Sequence, residues 1–203
     1  MSLFIVFEGL DGSGKSTQQQ LLNAKLKSDK ISTISFREPG STMIGNQIVE
    51  ILQSDQKLSP LSELLLFYVS RSAIIEEKMK PALDNHDVVL CDRYFYSSIA
   101  YQGYGSGIDI NFINQINDQV VKNIIPDLIF YMDINWEEKK NRKGINVKDR
   151  FEKEDRNFHN KVRSGYQSLA KTDLDKWKII DAEEDVNKIS SFIYETVKSK
   201  LNI

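Results

Sequence analysis

Short apolar runs alternate with longer amphipathic stretches along the chain. Five runs are predicted to be strands, because several of them are apolar at consecutive positions, as strands covered on both faces tend to be. They are Leu3–Phe7, Ser32–Phe36, Val88–Cys91, Leu128–Met132 and Trp177–Ile180. Helical stretches lie between them and after the last one. The pattern predicts a single α/β domain over residues 1–203, with a five-stranded parallel sheet and helices on both faces.

The helices of the first half are marked by their termini. One helical segment is predicted from Gln18 to Lys27, directly after a glycine-rich loop. A longer helix is predicted to begin at Pro60, because Ser59 is a good N-cap residue and proline suits the first helical position. This helix runs toward Leu83, and Pro81 is expected to kink or shorten its end.

The glycine-rich loop follows the first strand at once and has the pattern G-x-x-x-x-G-K-[ST]. It consists of Gly9, Leu10, Asp11, Gly12, Ser13, Gly14, Lys15, Ser16 and Thr17. Between a buried strand and a helix, such a loop typically holds the phosphates of a nucleoside triphosphate with its backbone N–H groups. We expect Lys15, exposed in the loop, to reach the β- and γ-phosphates, and the Ser16 hydroxyl to bind Mg²⁺. The alternative is an ordinary surface turn. The loop predicts ATP binding but leaves the phosphate acceptor open.

Composition and charge narrow the class of protein. The chain has 203 residues, of which 40% are hydrophobic and 28% charged, as is ordinary for a globular domain with a full core. Its net charge of −2 does not indicate a nucleic-acid-binding surface. No signal peptide or membrane span is recognisable, and the single cysteine, Cys91, is expected to be buried in an apolar run. We therefore expect a cytoplasmic protein that binds neither membrane nor nucleic acid. His86 and His159 have no companions at metal-ligand spacing and are expected to be surface or structural residues.

A basic run lies in the second half of the chain, over about residues 137–152. It contains Lys139, Lys140, Arg142, Lys143, Lys148 and Arg150 around Gly144. A run of charges is often no more than a solvated face, but in a phosphate-transferring enzyme it can form a lid that closes over phosphates. After it, a helix is predicted over Phe151–Ala170, because Phe158, Val162, Tyr166 and Leu169 fall near one face.

A second group of candidate residues follows the strand Val88–Cys91. Asp92 lies at the carboxyl end of that strand, where parallel sheets bind ligands; it is expected to hold Mg²⁺, and Arg93 to contact phosphate. A simple ion pair at the strand end is the alternative. Hydroxyl and aromatic residues follow at helical spacing, on a face suited to a nucleoside. They are Tyr94, Ser97, Ser98 and Tyr101. Phe67 and Arg71, four apart on the preceding long helix, could stack on a base and hydrogen-bond its edge.

The order of these motifs resembles the thymidylate kinase family, in its bacterial form, over almost the whole chain. The segments that carry the resemblance are Phe7–Thr17, Arg37–Gly40, Leu65–Tyr68 with Arg71, Asp92–Tyr94, Ser97–Gly103, Asp149–Glu152 and Gly165–Tyr166. The phosphate loop alone occurs in many families, whereas this combination in this order is specific. The resemblance implies the P-loop nucleoside monophosphate kinase fold with a basic lid. It also implies transfer of the γ-phosphate of ATP to dTMP with Mg²⁺, and a homodimer.

The resemblance further implies how dTMP is bound. Phe67 is expected to stack on thymine, Arg71 to bind a thymine carbonyl, and Ser98 to approach the N3 edge of the base. Tyr101 would crowd the sugar where a ribose carries its 2′-hydroxyl, and Asp11 would lie near the 3′-hydroxyl. The whole dTMP site is expected to comprise Asp11, Arg37, Phe67, Arg71, Arg93, Ser97, Ser98, Tyr101 and Gln102.

Catalytic roles are implied for charged residues of three segments. They are Lys15, Asp92, Arg93 and Arg150. Ser16 and Asp92 are the expected ligands of Mg²⁺. Because Gly12 has no side chain, the cation that reaches the transferring phosphate is expected to come from the basic run. Arg150 is the best match for that role, and Arg142, expected near ATP, is the second.

Two other functions stay open on the residues alone. A deoxynucleoside kinase would phosphorylate a sugar hydroxyl and so would need a carboxylate base, for which Glu8 or Asp92 could serve. A non-catalytic nucleotide-binding switch would keep the phosphate loop but would need no acceptor pocket. Ser41, Ser70 and the lysine-rich lid depart from the family pattern, and only the lid departure bears on an expected role.

Overall fold

A parallel sheet lies at the centre of the structure, a computed structural model that describes residues 2–143 and 154–201. The strands are β1 (Leu3–Gly9), β2 (Thr33–Arg37), β3 (Val88–Asp92), β4 (Leu128–Asp133) and β5 (Trp177–Asp181). They pair in the order β2-β3-β1-β4-β5, and every pairing is parallel. All the predicted strands are confirmed, with ends that agree to within two residues.

Helices pack around the sheet. They are α1 (Lys15–Ser28), α2 (Met43–Gln53), α3 (Pro60–Ile74), α4 (Lys80–Asn85), α5 (Phe95–Ser98), α6 (Ile110–Val120), α7 (Trp136–Lys143), α8 (Arg156–Ala170) and α9 (Val186–Leu201). Every residue of β3 is buried, as expected for a strand covered on both faces, and Cys91 is fully buried as predicted. Within residues 2–143 and 154–201, no helix has both the length and the apolar character that crossing a membrane requires.

The long helix predicted from Pro60 is interrupted before the expected proline. The Ser59 side chain caps the start of α3 by accepting a hydrogen bond from the Ser62 amide at 3.1 Å, as its position predicted. The hydrogen bonding then changes to a π-helical turn over Ile75–Met79, and Pro81 lies in the first turn of α4. Proline has no N–H for the helical ladder, so the helix changes geometry one turn ahead of it.

Helix α8 begins later than the sequence predicted. The Asp155 side chain accepts a hydrogen bond from the Phe158 amide at 2.8 Å and so caps a helix that begins at Arg156, not at Phe151. Further along, α8 lies close against the π-helical segment Ile99–Gly105. A Cβ at Gly165 would come within 2.8 Å of the Tyr104 ring, so glycine permits this close approach.

The carboxyl ends of β1, β2 and β3 lie side by side and define one edge of the sheet. Asp92 is in register with Phe7 of β1 and with Arg37 of β2. Backbone hydrogen bonds fix the first residue after β2 and after β3. The Glu38 amide donates to the Asp92 carbonyl at 3.0 Å, and the Arg93 amide donates to the Phe7 carbonyl at 2.9 Å. Ligands of open parallel sheets bind at this edge.

Candidate active site

The phosphate loop joins β1 to α1 in a shape that its glycines permit. Gly9 has a φ of +138°, and a Cβ there would lie 2.5 Å from the carbonyl oxygen of Met132, so only glycine lets β1 end this close to β4. Gly14 has a φ of +92° and precedes Lys15, the first residue of α1. The N–H groups at the start of α1 therefore adjoin the loop, as in anion-binding sites. The predicted ATP-binding segment from Gly9 to Thr17 forms this loop and the first residues of α1.

Lys15 is buried, so the expectation that it is exposed in the loop is wrong. Only 5% of the residue is exposed, and its Nζ donates hydrogen bonds to the carbonyl oxygens of Gly9 and Leu10 at 3.0 and 2.8 Å. The loop thus wraps around its own lysine. Burial lowers the pKa of Lys15 to about 8, and Arg93 acts in the same direction, whereas the carboxylate of Asp92 opposes the change.

Asp92 and Ser16, the predicted metal ligands, face each other beside the loop. The Ser16 hydroxyl donates to Oδ2 of Asp92 at 2.5 Å, while the buried Oδ1 has no hydrogen-bond partner in the described part of the chain. A buried carboxylate oxygen is costly unless a donor or a cation meets it. The pair therefore presents the oxygen ligands that Mg²⁺ prefers.

A cavity of about 400 Å³ lies at the same edge of the sheet, next to the phosphate loop. All the residues expected to bind dTMP line it: Asp11, Arg37, Phe67, Arg71, Arg93, Ser97, Ser98, Tyr101 and Gln102. Eight further residues line the wall that were not among the expected dTMP-binding residues: Glu38, Pro39, Gly40, Ser41, Asn46, Val49, Leu52 and Gln53. The first three belong to the Arg37–Gly40 segment that carries the resemblance, whereas nothing in the sequence analysis indicated the last four. In α2 the spacing of Asn46, Val49 and Gln53, three and four residues apart, is the signal that could have indicated this face.

Arg93 joins the cavity to the phosphate loop. Its φ of +69° lies in the left-handed region that residues other than glycine rarely adopt. The guanidinium forms an ion pair with Asp11 at 2.6 Å and donates to the Tyr101 hydroxyl at 3.4 Å. The side chain is therefore held between the loop and the cavity wall.

A buried carboxylate, Glu8, supports Arg93 from behind. Its Oε1 accepts a hydrogen bond from the Tyr94 amide at 2.9 Å, and its Oε2 accepts from the hydroxyls of Ser97 and Tyr166 at 2.7 and 2.9 Å. The same two hydroxyl oxygens accept from Nη1 of Arg93 at 3.2 and 3.3 Å. Burial raises the pKa of Glu8, and its hydrogen bonds and Arg93 oppose that change. Both oxygens of Glu8 thus accept hydrogen bonds, and Oε2 orients the two hydroxyls that hold the arginine.

Arg71 and Glu38 form a buried ion pair on the cavity wall. Nε of Arg71 lies 2.7 Å from Oε2 of Glu38, and the two side chains are only 2% and 3% exposed. The Arg71 guanidinium also donates to the Ser98 hydroxyl at 3.1 Å and to the Tyr94 carbonyl at 3.3 Å. Burial raises the pKa of Glu38 to about 7, although Arg71 opposes the change. Sequence reasoning missed Glu38 as a partner; its only signal was its place in the Arg37–Gly40 segment.

Tyr94 does not face the cavity. Its ring is fully buried and packs edge-on against Phe4, with 5.4 Å between the ring centres, and its hydroxyl donates to the Ile124 carbonyl at 3.1 Å. The expectation that it shares a nucleoside-binding face with the residues after it is wrong. Tyr94 precedes α5 in an extended conformation, so helical spacing does not apply to it.

The described part of the predicted lid is helix α7. Arg142 donates to Glu138 at 2.8 Å and to the carbonyl oxygen of Ala182 at 2.8 Å, which ties α7 to the loop after β5. Arg150 and Lys148 lie outside the described residues.

Lys139 does not fit the alternative that the whole basic run is a solvated face. It is buried, and its Nζ lies 3.1 Å from both ring nitrogens of His159. The buried His159 ring also stacks on Trp136, with 4.6 Å between the ring centres. His159 is therefore the structural histidine that the sequence predicted.

The chain is similar to known proteins over almost its whole length. The family described as thymidylate kinase matches residues 7–193. A thymidylate kinase of Dehalococcoides mccartyi is 40% identical over 199 residues, which cover 97% of this chain and 96% of that protein. One of Thermoanaerobacter sp. is 38% identical over 199 residues, or 98% of each chain. The crystal structure of thymidylate kinase from Ehrlichia chaffeensis matches with a TM-score of 0.80 and 34% identity, over 97% of this chain and 98% of that one. The chain belongs to the thymidylate kinase family.

Proposed function

We propose that the protein transfers the γ-phosphate of ATP to dTMP, giving ADP and dTDP, with ATP on the phosphate loop and dTMP in the cavity. Membership of the thymidylate kinase family identifies the enzyme as a phosphotransferase with this reaction. One observation carries the placement of the substrates. The cavity and the phosphate loop share Asp11, and Arg93 bridges them through its ion pair with Asp11 at 2.6 Å. A donor phosphate on the loop would therefore adjoin an acceptor phosphate at Arg93.

The chemistry requires charge stabilisation more than proton transfer. The acceptor oxygen belongs to a phosphate whose second pKa is about 6, so it is mostly ionised near neutral pH and needs no general base. Lys15 and Arg93 supply positive charge on the two sides of the transferring group. Arg93 is held in place by Asp11 and by the hydroxyls that Glu8 orients, so little reorganisation is needed during the reaction.

Mg²⁺ fits the pair formed by Ser16 and Asp92. The unpartnered, buried Oδ1 of Asp92 and the Ser16 hydroxyl would hold it, directly or through water. In residues 2–143 and 154–201 no three acidic, histidine or cysteine side chains cluster, so phosphates and water would supply its other ligands. When bound, the ion neutralises charge on the β- and γ-phosphates.

The nucleoside would be recognised by the cavity wall. Phe67 stacks on thymine, Arg71 donates to a carbonyl of the base, and Ser98 lies at its N3 edge. Tyr101 would occupy the space of a 2′-hydroxyl; its ring is restrained by Arg93, whose guanidinium carbon lies 5.2 Å from the ring centre. All of these side chains line one cavity, which supports these roles.

A further positive charge, which would contact the transferring phosphate, is proposed to come from the lid. Arg150 would reach the transferring phosphate, and Arg142 would lie near ATP, where it is held against the Ala182 carbonyl. The lid has to supply this positive charge because Gly12, in the phosphate loop, has no side chain that could contact the phosphoryl group.

The deoxynucleoside kinase alternative finds less support. Such an enzyme needs a carboxylate that is free to accept a proton from a sugar hydroxyl. Both oxygens of Glu8 already accept hydrogen bonds, from the Tyr94 amide and from two hydroxyls. Asp92 accepts from Ser16 at Oδ2, and its other oxygen, Oδ1, is the one proposed to hold Mg²⁺. The switch alternative would leave an acceptor cavity of about 400 Å³ without a use.

We also propose a cytoplasmic homodimer. Leu61, Leu65 and Val69 follow one another at four-residue steps on α3 and are 47%, 47% and 46% exposed. Leu65 and Val69 each lie two positions from the cavity-lining Phe67 and Leu61 lies six positions from it, so all three point away from Phe67 around the helix. A second copy of the chain would cover this stripe, and a Leu65→Asp variant that still sediments as a dimer would contradict that placement. The cytoplasm supplies ATP and dTMP and suits the lone thiol of Cys91.

A coupled assay of ADP release tests the proposed reaction. The panel comprises dTMP, the other deoxynucleoside monophosphates and thymidine. We expect turnover with dTMP and little with thymidine, whereas the reverse order would favour a deoxynucleoside kinase. Lys15→Ala should fold and bind dTMP but lose almost all turnover. Binding of dTMP without turnover by the unaltered protein would favour the non-catalytic alternative.

A further inference from the structure

Two helical segments of the cavity wall contact each other through a pair of hydrogen bonds. Glu63, Phe67 and Arg71 recur at four-residue steps on α3, and Ser98 and Gln102 are four apart on the segment after β3. Nε2 of Gln102 donates to Oε1 of Glu63 at 2.8 Å, and Arg71 donates to the Ser98 hydroxyl at 3.1 Å. Phe67 lies between the two α3 partners along the helix and lines the cavity. The two contacts therefore frame the ring on which a base would stack.

The contact with Glu63 determines which end of the Gln102 amide faces the carboxylate. A carboxylate accepts hydrogen bonds, whereas an amide donates at its nitrogen and accepts at its oxygen, so the nitrogen must face Glu63. Glu63 is 3% exposed and Gln102 is 1% exposed, so water competes little for either group. The amide oxygen is then the end available to a ligand in the cavity, which Gln102 lines.

The charge of Glu63 affects its contact with Gln102. Glu63 lies in the first turn of α3, where the helix dipole favours a negative charge. A glutamine would fill the same space without the charge, but its amide could meet Gln102 with either end. What the carboxylate adds is a fixed polarity.

We propose that Glu63 is a positioning residue for base selection: it holds the Gln102 amide with its oxygen toward the base, ready to accept a hydrogen bond from a ring N–H. The inference rests on the proposed function, which places thymine on Phe67. With Arg71 donating beside it, the wall matches a pyrimidine that has a 4-carbonyl and an N3–H. Cytosine presents an amino group and an unprotonated N3 at these positions and so opposes both groups. Glu63 thereby favours dTMP over dCMP.

The variant Glu63→Gln tests this directly, because it keeps the shape of the side chain and frees the Gln102 amide to turn. We expect the ratio of kcat/KM for dTMP to that for dCMP to fall by at least about tenfold. The loss should appear as a higher KM for dTMP, with the KM for ATP unchanged. Glu77→Gln, the same change at an exposed position, is the matched control and should leave the ratio unaltered. If Glu63 were merely structural, both nucleotides would lose in parallel and the ratio would stay constant, which would overturn the proposal.

A double-mutant cycle separates action through Gln102 from direct action. In a Gln102→Ala background, adding Glu63→Gln should change the ratio no further; an equal fall in both backgrounds would contradict the proposal.

If Glu63→Gln does not fold, the unaltered enzyme still provides a test with the 3-deaza analogue of dTMP, which carries C–H in place of N3–H. We expect at least about a tenfold loss in kcat/KM for the analogue, and equal use of the two compounds would overturn the inference. The proposed function is judged separately, by turnover of dTMP itself.

Discussion

Raising the pH through about 8 should weaken ATP binding through a single side chain, Lys15. Burial lowers the pKa of its ammonium from 10.5 to about 8, and its hydrogen-bond partners are the carbonyl oxygens of Gly9 and Leu10. At roughly 1.4 kcal/mol per pKa unit, this change corresponds to about 3 kcal/mol in favour of the neutral amine. Phosphates bound beside Nζ would restore the charged form. ATP binding should therefore take up a proton.

The size of the uptake follows from the pKa. At about pH 8 half of the free enzyme has a neutral Lys15, so binding should take up about half a proton; at about pH 7 it should take up about a tenth. Between about pH 7 and pH 9 the affinity for ATP should fall about tenfold. Isothermal titration calorimetry at one pH, in buffers of different ionisation enthalpy, measures the uptake as the slope of the observed enthalpy.

The matched control is Lys15→Arg, whose guanidinium does not titrate in this range. It should show no proton uptake at about pH 8. If the unaltered enzyme also takes up none, the ammonium is already charged before ATP binds, and the argument from burial is refuted.

Glu38→Gln should flatten the pH dependence of stability. Burial raises the pKa of Glu38 from 4.5 to about 7, so the protonated form favours folding, and the free energy of unfolding should fall as the pH rises through that interval. Urea unfolding should show that, across this interval, the free energy of unfolding falls by up to about 3 kcal/mol more in the unaltered protein than in Glu38→Gln. Arg71→Ala should weaken dTMP binding by roughly 1.5–3 kcal/mol, seen in KM, while the KM for ATP stays constant; a change confined to ATP would put Arg71 on the donor side. Tyr101→Phe should keep most of the preference for dTMP over ribothymidine monophosphate, whereas Tyr101→Ala should relax it, and equal use of both by the unaltered enzyme would remove this role. Arg150→Ala should lower kcat by roughly 10³–10⁵ with little change in dTMP binding, and Arg142→Ala should do less; steady-state losses below about tenfold in both would speak against a lid arginine.

The sheet and the phosphate loop could be predicted because each depends on residues that are close in sequence. The apolar run ending at Cys91 is long enough to be a buried strand whatever packs on it. The pattern from Gly9 to Thr17 shapes the loop through its own glycines, two of which have φ values of +138° and +92°. The same locality explains the confirmed cap at Ser59.

Predictions from local spacing failed where a side chain makes tertiary contacts or where a helix begins later than its apolar pattern. Tyr94 has helical spacing to Ser97 and Tyr101, yet it lies before α5 and its ring enters the core. The start of α8 is set by the Asp155 cap and not by the apolar periodicity that extends toward Phe151. Periodicity alone does not mark where a helix begins.

The sequence by itself determined the α/β fold, the phosphate loop and, through the resemblance, the expected dTMP-binding residues, which form only part of the cavity wall. Only the tertiary structure decided their electrostatic state: that Lys15 is buried, that Arg71 meets Glu38, which lies 33 positions away, and that Glu63 meets Gln102. The physical reason is that a strand or a loop depends on short-range backbone preferences. The pKa of a side chain and the direction of an amide depend instead on which distant groups share its desolvated surroundings.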